Sequence, residues 1–336
     1  MYINWLNRKD YDFSLVDKKL ENSRIKNHYT NYGPLVSELE NWMKALLKID
    51  SSKSVHMASN GTTALHAIVA AMNLEAGREL KFATQDFTFP ASVLGPLRGT
   101  KIVDMTPDHQ VDLKDLQDVD GLIITNIFGN SLDLQLYQKW ADDNDKILII
   151  DNAATPYTFY KKKNTLNYGN ASFISLHHTK PFGFGEGGFI VIDKKYKDAV
   201  DRVLNFGFDS DRNWNQWGSN YRMSDISAAF VFQHIERNFE RMISHHGEIS
   251  EVFSLVCKHN EWKSWNDKSD GNPFLSSMIF LTEEDPKRIK NLKNFEWKKY
   301  YKPLVGLPIS NSIYKNIICL PCHNDVSTRD ILSLKR

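Results

Sequence analysis

The sequence predicts an α/β fold built on a doubly wound, mostly parallel sheet. Two observations lead to this prediction. Short β-branched runs alternate with segments of helical periodicity, and most of these runs are apolar nearly throughout, as strands buried on both faces are. The predicted strands are residues 53–58, 79–84, 100–105, 121–126, 146–151, 171–176 and 187–192.

Helix-spaced apolar residues predict helices between the strands, at residues 62–72 and 134–144. Residues 224–256 fit either one long helix or two helices end to end. Beyond about residue 240 the chain becomes richer in Trp, Lys, Asn and Pro, and its strands become weaker. We therefore predict a large domain over residues 1–240 and a smaller C-terminal α/β domain over residues 241–336, with roughly the first fifty residues packing against the smaller one.

Composition narrows the possible functions. The chain has 336 residues, of which 41% are hydrophobic and 25% charged, as in an ordinary globular protein. A net charge of +1 gives no electrostatic case for binding nucleic acid or an anionic membrane. The first residues are polar where a signal peptide needs an apolar core, and no window approaches the roughly 18 apolar residues of a membrane span. We predict a cytoplasmic protein that acts on small molecules.

The three cysteines are too few for disulfide bonds to stabilise a chain of this length. Residues 319–323 (CLPCH) match the C-x-x-C-H pattern of covalent haem attachment. That attachment belongs to exported chains, and the sequence shows no export signal. We predict instead that the apolar run before this motif is a β-strand that ends at a proline-marked turn, and we predict no metal site.

A candidate phosphate site follows the first predicted strand. Residues 58–65 (ASNGTTAL) lead from a strand through a glycine turn into a helix whose first turn contains Thr62 and Thr63. The free N–H groups and positive dipole at such a helix start can bind a phosphate, although a plain helix cap is the alternative. The stretch matches neither the P-loop nor the G-x-G-x-x-G pattern, so the phosphate would belong to a phosphorylated cofactor.

A carboxylate, Asp151, ends the strongly apolar strand at residues 146–151. A carboxylate in that position has lost much of its water and needs a cationic or proton-donating partner. A pyridinium nitrogen would serve, and the carboxylate would keep the ring protonated so that it could accept electrons. The alternative is a helix N-cap aspartate.

A lysine, Lys180, follows Asp151 by 29 residues in the stretch 175–188 (SLHHTKPFGFGEGG). A solvated surface lysine needs no glycines beside it, whereas a lysine that must reach a bound group from a tight turn does. A phosphate site, a carboxylate and this lysine are together the requirements of pyridoxal 5'-phosphate (PLP). The lysine must be neutral to act, and desolvation would lower its pKa from roughly 10.

The stretch SLHHTK followed by GEGG resembles the S-F-H-x-T-K…G-[DE]-G-G signature of the DegT/StrS family of nucleotide-sugar aminotransferases. The resemblance implies a PLP-dependent, aspartate-aminotransferase-like fold (fold type I). It covers nearly the whole chain. The other matching stretches are HYTNYGPLVSELE (28–40), SNGTTALHA (59–67), DFTFPAS (86–92), NIFGN (126–130), IIDNAA (149–154), GSNYRMSDISAA (218–229) and CLPCH (319–323).

The resemblance assigns roles to individual positions. Lys180 would form the Schiff base with PLP, and Asp151 would face the pyridine nitrogen. Phe89 would stack on the cofactor ring, although a core phenylalanine would look the same in the sequence. Asn220 would reach the phosphate in the neighbouring subunit, which implies a homodimer with shared active sites. The residues that would hold the phosphate are Thr62, Thr63 and Ser175.

Two positions leave questions open. Ala154 stands where the family usually has Gln or His near the oxygen on the cofactor ring, so that contact is replaced or lost. His177 is an alternative proton carrier to Lys180, and a packing role explains it as well.

The lysine favours amino transfer, because a branch of this fold type with histidine at that position dehydrates sugars instead. The pyridoxamine form would condense with a sugar ketone, Lys180 would move the proton, and glutamate would restore the amine. The predicted acceptor is a nucleotide-linked 4-keto- or 3-keto-6-deoxyhexose, with dTDP and C4 favoured. The alternative is a regulatory or binding protein on the same fold, but such a protein would be expected to lack Lys180 or Asp151.

Overall fold

The seven apolar runs that predict strands all lie in one sheet of the computed structural model, which describes residues 2–271 and 273–335. The spatial order is β1-β9-β8-β5-β4-β2-β3, and β9 runs antiparallel to its two neighbours while the other pairs are parallel. The sheet is therefore mostly parallel, as predicted. The strands are β1 (Lys53–Ala58), β2 (Phe82–Gln85), β3 (Lys101–Val103), β4 (Gly121–Thr125), β5 (Ile147–Asp151), β6 (Phe159–Tyr160), β7 (Lys163–Asn164), β8 (Ala171–Ser175), β9 (Gly188–Asp193), β10 (Lys263–Ser264), β11 (Ser277–Leu281) and β12 (Ile317–Pro321).

Both predicted helices between the strands are present, and residues 224–256 belong to one continuous helix rather than two. No helix within residues 2–271 and 273–335 is long and apolar enough to cross a lipid bilayer. The α-helices are α1 (Phe13–Lys19), α2 (Glu21–Ile25), α3 (Pro34–Leu46), α4 (Gly61–Ala76), α5 (Leu134–Asn144), α6 (Lys197–Leu204), α7 (Asp225–His259), α8 (Pro308–Asn316) and α9 (Thr328–Leu332).

Helices cover the large sheet on both faces. On β9, Ile190 packs in the cluster that contains Leu65 of α4, whereas its neighbour Val191 packs in the cluster that contains Leu39 of α3. Successive side chains of a strand point to opposite faces, so both faces here must be apolar. This explains why the strands appear in the sequence as continuous apolar runs without alternation.

A second, three-stranded antiparallel sheet has the order β10-β11-β12. Its core includes Phe253 and Val256 from the C-terminal half of α7, and Ile3 joins the same cluster and pairs with Phe295. The domain boundary that we predict between residues 240 and 241 falls inside α7, whose N-terminal half packs on the large sheet. The strand predicted from the apolar run that leads into the CLPCH motif is β12, and it ends within that motif, at Pro321.

Candidate active site

Three polar residues lie at the ends of neighbouring parallel strands. Thr125 closes β4, Asp151 closes β5 and Ser175 closes β8, and the ladder pairs Thr125 directly with Asp151. Open α/β sheets bind their ligands at this carboxyl edge. The fold therefore gathers the candidate residues at the place where the topology favours a ligand site.

Asp151 is only 2% exposed, and few groups donate hydrogen bonds to its carboxylate. Its Oδ1 accepts a hydrogen bond from the Ala153 N–H at 2.8 Å, and from the described part of the chain its Oδ2 accepts only a long one, from Thr125 Oγ1 at 3.4 Å. Burial raises the pKa of the Asp151 carboxyl to about 6, against the effects of these bonds and of the Lys180 charge. A buried carboxylate oxygen with one weak donor fits the protonated ring nitrogen of PLP, which would supply the missing donor.

Lys180 lies in the turn that follows β8. The Lys180 N–H donates to the His177 carbonyl at 2.8 Å, and the Gly183 N–H donates to the Lys180 carbonyl at 3.0 Å. A Cβ on Gly183 would overlap the His177 carbonyl, so the turn requires glycine there. Burial lowers the pKa of the Lys180 amine, and the nearby Asp151 charge opposes that shift. The turn thus presents a lysine with a lowered pKa close to the buried carboxylate.

The N-terminus of α4 lies beside Ser175. Asn60 accepts a hydrogen bond from the Thr63 N–H at 2.9 Å, and Thr63 Oγ1 accepts one from the Asn60 N–H at 3.0 Å. This capping box occupies the Thr63 hydroxyl, so the helix cap considered as an alternative is present. The N–H groups of Gly61 and Thr62 precede the first intrahelical hydrogen bond and remain suited to an anion.

A cleft of about 690 Å³ opens between the large sheet and the second sheet, and both Lys180 and Phe89 line it. The Phe89 side chain is 54% exposed and offers a flat aromatic face beside Lys180. Phe128 and Tyr301 also line the cleft, with their rings stacked at a centroid distance of 5.2 Å. The other residues that the sequence assigns to the cofactor are not among those lining the cleft: Thr62, Thr63, Asp151, Ser175 and Asn220.

Asn220 is exposed, outside the cleft. Its side-chain oxygen accepts hydrogen bonds from Arg222, at 3.0 Å from Nη2 and 3.3 Å from Nε. Tyr221, the next residue, accepts a backbone hydrogen bond from the Ser59 N–H at 2.7 Å. Asn220 therefore lies on the outer surface near the start of α4.

Sequence reasoning does not identify three residues near the site. Thr125 could have been found, because it ends the strand next to Asp151 in a parallel sheet. Tyr301 and Lys9 carry no such signal, since each lies more than a hundred positions from Lys180 along the chain. Burial and then the Asp151 charge raise the pKa of Tyr301, which places its hydroxyl group in the same electrostatic environment.

Comparison with known proteins agrees with this geometry. Residues 15–295 match the profile of the DegT/DnrJ/EryC1/StrS aminotransferase family. The chain belongs to this family. Membership confirms the family resemblance and the predictions of aminotransferase activity and of PLP as the cofactor.

Two curated members of the DegT/DnrJ/EryC1/StrS family align over most of the chain. The "dTDP-4-amino-4,6-dideoxy-D-glucose transaminase" of Shigella dysenteriae is 29% identical over 90% of this chain and 89% of its own length. The "UDP-4-amino-4,6-dideoxy-N-acetyl-beta-L-altrosamine transaminase" of Campylobacter jejuni is 23% identical over 93% of this chain and 90% of its own length. The family resemblance therefore extends over nearly the full length of both relatives.

A solved structure supports the fold. The putative PLP-dependent aminotransferase from Bacillus cereus superposes with a TM-score of 0.84 at 22% identity, covering 100% of both chains. The predicted aspartate-aminotransferase-like fold is confirmed.

Proposed function

We propose that this protein transfers an amino group from glutamate to C4 of a nucleotide-linked 4-keto-6-deoxyhexose, with dTDP the first nucleotide to test. The observation that carries this proposal is the pairing of a buried, sparsely hydrogen-bonded Asp151 with Lys180 at the edge of an open cleft. Transfer to C3 of a 3-keto sugar is the alternative position.

PLP, when bound, supplies an electron-withdrawing ring that stabilises negative charge next to the transferred nitrogen. Lys180 would hold it covalently through its amine, and Asp151 would accept a hydrogen bond from the ring nitrogen. Phe89 would cover one face of the ring. The phosphate would be held by the start of α4 and the end of β8, through Thr62 and Ser175, while Thr63, whose hydroxyl is engaged in the capping box, would hold the helix start in place.

The environment of Lys180 suits a proton carrier. Burial lowers the pKa of its amine, so a larger share is neutral near pH 7 and can take a proton from carbon. Asp151 would keep the ring nitrogen protonated by accepting its hydrogen bond while the carboxyl is ionised. The Asp151 carboxyl would be ionised beside a positively charged partner, because an opposite charge within a few ångströms lowers the pKa of a carboxyl.

The charge of the cleft supports a substrate with a diphosphate. Of the described residues that line it, seven are lysine or arginine and two are aspartate. Arg237 and Arg241 lie one turn apart on α7 and are both exposed. Arginine side chains bind phosphate oxygens through paired hydrogen bonds. The two curated relatives are named as transaminases of dTDP- and UDP-linked 4-amino sugars, which agrees with a nucleotide-sugar substrate and with transfer to C4.

We also propose a homodimer in which Asn220 of one subunit reaches the cofactor phosphate of the other. The support is its exposed position outside the cleft of its own chain, close to the start of α4. A two-fold dimer would place each Asn220 symmetrically.

The experiment is a product assay on the purified protein, reconstituted with PLP and supplied with glutamate. A panel of dTDP-, UDP- and GDP-linked 4-keto and 3-keto sugars is tested, and products are identified by mass spectrometry and NMR. We expect one 4-amino sugar to dominate. Absence of any amino sugar from the whole panel, with PLP shown to be bound, would reject the substrate class.

Two variants test the residues in the same assay. Lys180→Ala removes the amine, and we expect turnover to be lost while the circular dichroism spectrum is unchanged. Asp151→Asn keeps the shape but not the charge, and we expect kcat to fall by about a hundredfold or more. Exposed Lys18→Ala is the control. A Lys180→Ala protein with undiminished turnover would show that another group performs the proton transfer.

A further inference from the structure

The N-terminal segment runs past the cleft and touches three parts of the molecule. Ile3 pairs with Phe295 near the second sheet, and the Asp12 N–H donates to Gln233 of α7 at 3.2 Å. Between these two attachments, Lys9 lies against the turn that contains Lys180. The segment thus connects the second sheet, the lysine turn and α7.

Lys9 makes two short hydrogen bonds to that turn. Its Nζ donates to the Lys180 carbonyl and to the Gly183 carbonyl, both at 2.6 Å. These carbonyls stand at the two ends of the hydrogen-bonded turn 180–183, so one side-chain nitrogen joins those ends. Below about pH 7, where the Lys9 amine is protonated, these hydrogen bonds are charge-assisted and about twice as strong as neutral ones. His234 Nε2, on α7, contacts the Pro181 carbonyl of the same turn at 3.0 Å.

Burying the Lys9 amine costs desolvation free energy, which a lysine that only stabilised the fold would not need to lose. Burial lowers its pKa to about 7, and no carboxylate within residues 2–271 and 273–335 offsets this shift. A surface loop can be fixed at less cost by a side chain that stays hydrated. Lys9 also lines the cleft beside Lys180, where an uncompensated amine is typical of a functional site.

We propose that Lys9 is a positioning residue for Lys180. By holding both ends of the turn, it fixes the Lys180 backbone so that the amine reaches the transferred group from one direction. This inference rests on the proposed role of Lys180. Lys9 does not contact the reacting atoms in this proposal, and its effect passes through the turn.

The first test needs neither cofactor nor turnover. Hydrogen exchange is followed by mass spectrometry in the cofactor-free protein, comparing wild type with Lys9→Met, which keeps the side-chain length but has no donor. We expect amides of residues 177–183 to exchange about fivefold faster or more, because two charge-assisted hydrogen bonds are lost. Peptides from β4 and β5 should not change. Lys18→Met, on the exposed surface of α1, is the matched control.

The second test separates positioning from general stability. In the loaded enzyme we expect Lys9→Met to lower kcat about tenfold or more while KM for glutamate changes less than about threefold. Lys9→Arg, which can donate to both carbonyls, should recover most of the loss. Should Lys9→Met fail to fold, Lys9→Leu, which is shorter and also has no donor, is measured with the same expectations.

The outcomes distinguish this inference from the proposed function. Lys180→Ala is assayed in parallel. A Lys180→Ala protein that still turns over rejects the proposed role of Lys180. A dead Lys180→Ala protein together with a Lys9→Met protein of normal kcat and normal exchange at residues 177–183 overturns the Lys9 inference alone. A rise in KM with unchanged kcat also overturns it, because Lys9 would then bind substrate.

Discussion

Gly61 and Ser175 approach so closely that a Cβ placed on Gly61 would lie 2.8 Å from Ser175 Cβ and 3.1 Å from its Oγ. No side chain fits between the start of α4 and the end of β8. The N–H groups at the start of α4 and the Ser175 hydroxyl therefore border one small candidate phosphate site, where a phosphate could accept hydrogen bonds from both.

Gly61→Ala should disturb this candidate phosphate site. The added methyl group must push α4 away from Ser175, so we expect the affinity for PLP to fall about tenfold, with a loss of about 1–2 kcal/mol of stability. Affinity is measured by fluorescence titration of the cofactor-free protein. Gly247→Ala is the control, because a Cβ there meets no atom within 4 Å and α7 should gain up to about 1 kcal/mol. Equal PLP affinity in both variants would contradict the assignment of the phosphate site to the start of α4 and Ser175.

The stability of the cofactor-free protein should depend on pH through Asp151. Burial raises the pKa of this carboxyl to about 6, so between about pH 4 and 6 the folded chain holds a proton that the unfolded chain releases. Stability should therefore fall as the pH rises through this window, by up to about 3 kcal/mol. Urea unfolding of wild type and Asp151→Asn at several pH values measures the difference.

In that experiment the stability of the Asp151→Asn protein should lack this part of the pH dependence. Its free energy of unfolding should therefore increase relative to that of wild type as the pH rises to about 6. Asp211→Asn, which changes an exposed carboxyl, is the control and should follow wild type. Parallel profiles for wild type and Asp151→Asn would show that Asp151 finds compensating partners when it ionises.

The two arginines on α7 should act on substrate binding rather than on chemistry. For Arg237→Ala and Arg241→Ala we expect KM for the nucleotide sugar to rise about three- to tenfold, with kcat nearly unchanged, because each exposed contact to a phosphate contributes about 1 kcal/mol. The effect should shrink at high salt, which screens exposed charges. Arg98→Ala, an exposed arginine away from the cleft, should match wild type. A fall in kcat alone would place these residues at the reacting centre.

Complementation tests the shared active site. Asn220→Asp should damage the neighbour's site, because a carboxylate would face the phosphate at short range, whereas Lys180→Ala damages its own. A mixed dimer would then hold one site with both lesions and one intact site. With random pairing, co-expression should restore about a quarter of wild-type activity.

Purified mixed dimers that carry two different affinity tags give the sharper measurement. Each should show about half the activity of a wild-type dimer, while either variant alone is inactive. An inactive mixed dimer shown to contain both chains would mean that Asn220 acts within its own subunit or has no role.

The sequence by itself determined the framework of the protein. All seven strands of the large sheet and the bounds of α5 follow from local patterns, because burial on both faces leaves a continuous apolar run and a helix on the surface leaves a 3.6-residue period. Asp151 could be placed at a strand end, and Lys180 in a glycine turn, for the same reason. Each of these features depends on neighbours close in the chain.

Only the tertiary structure decided the rest. It made residues 224–256 part of one helix despite Gly247, since packing against both sheets outweighs a cost of about 1 kcal/mol. It brought Lys9 to the Lys180 turn and Tyr301 to the same cleft from opposite ends of the chain, and it occupied the Thr63 hydroxyl in a helix cap. Contacts between residues far apart in sequence leave no local pattern, so they become visible only when the chain is folded.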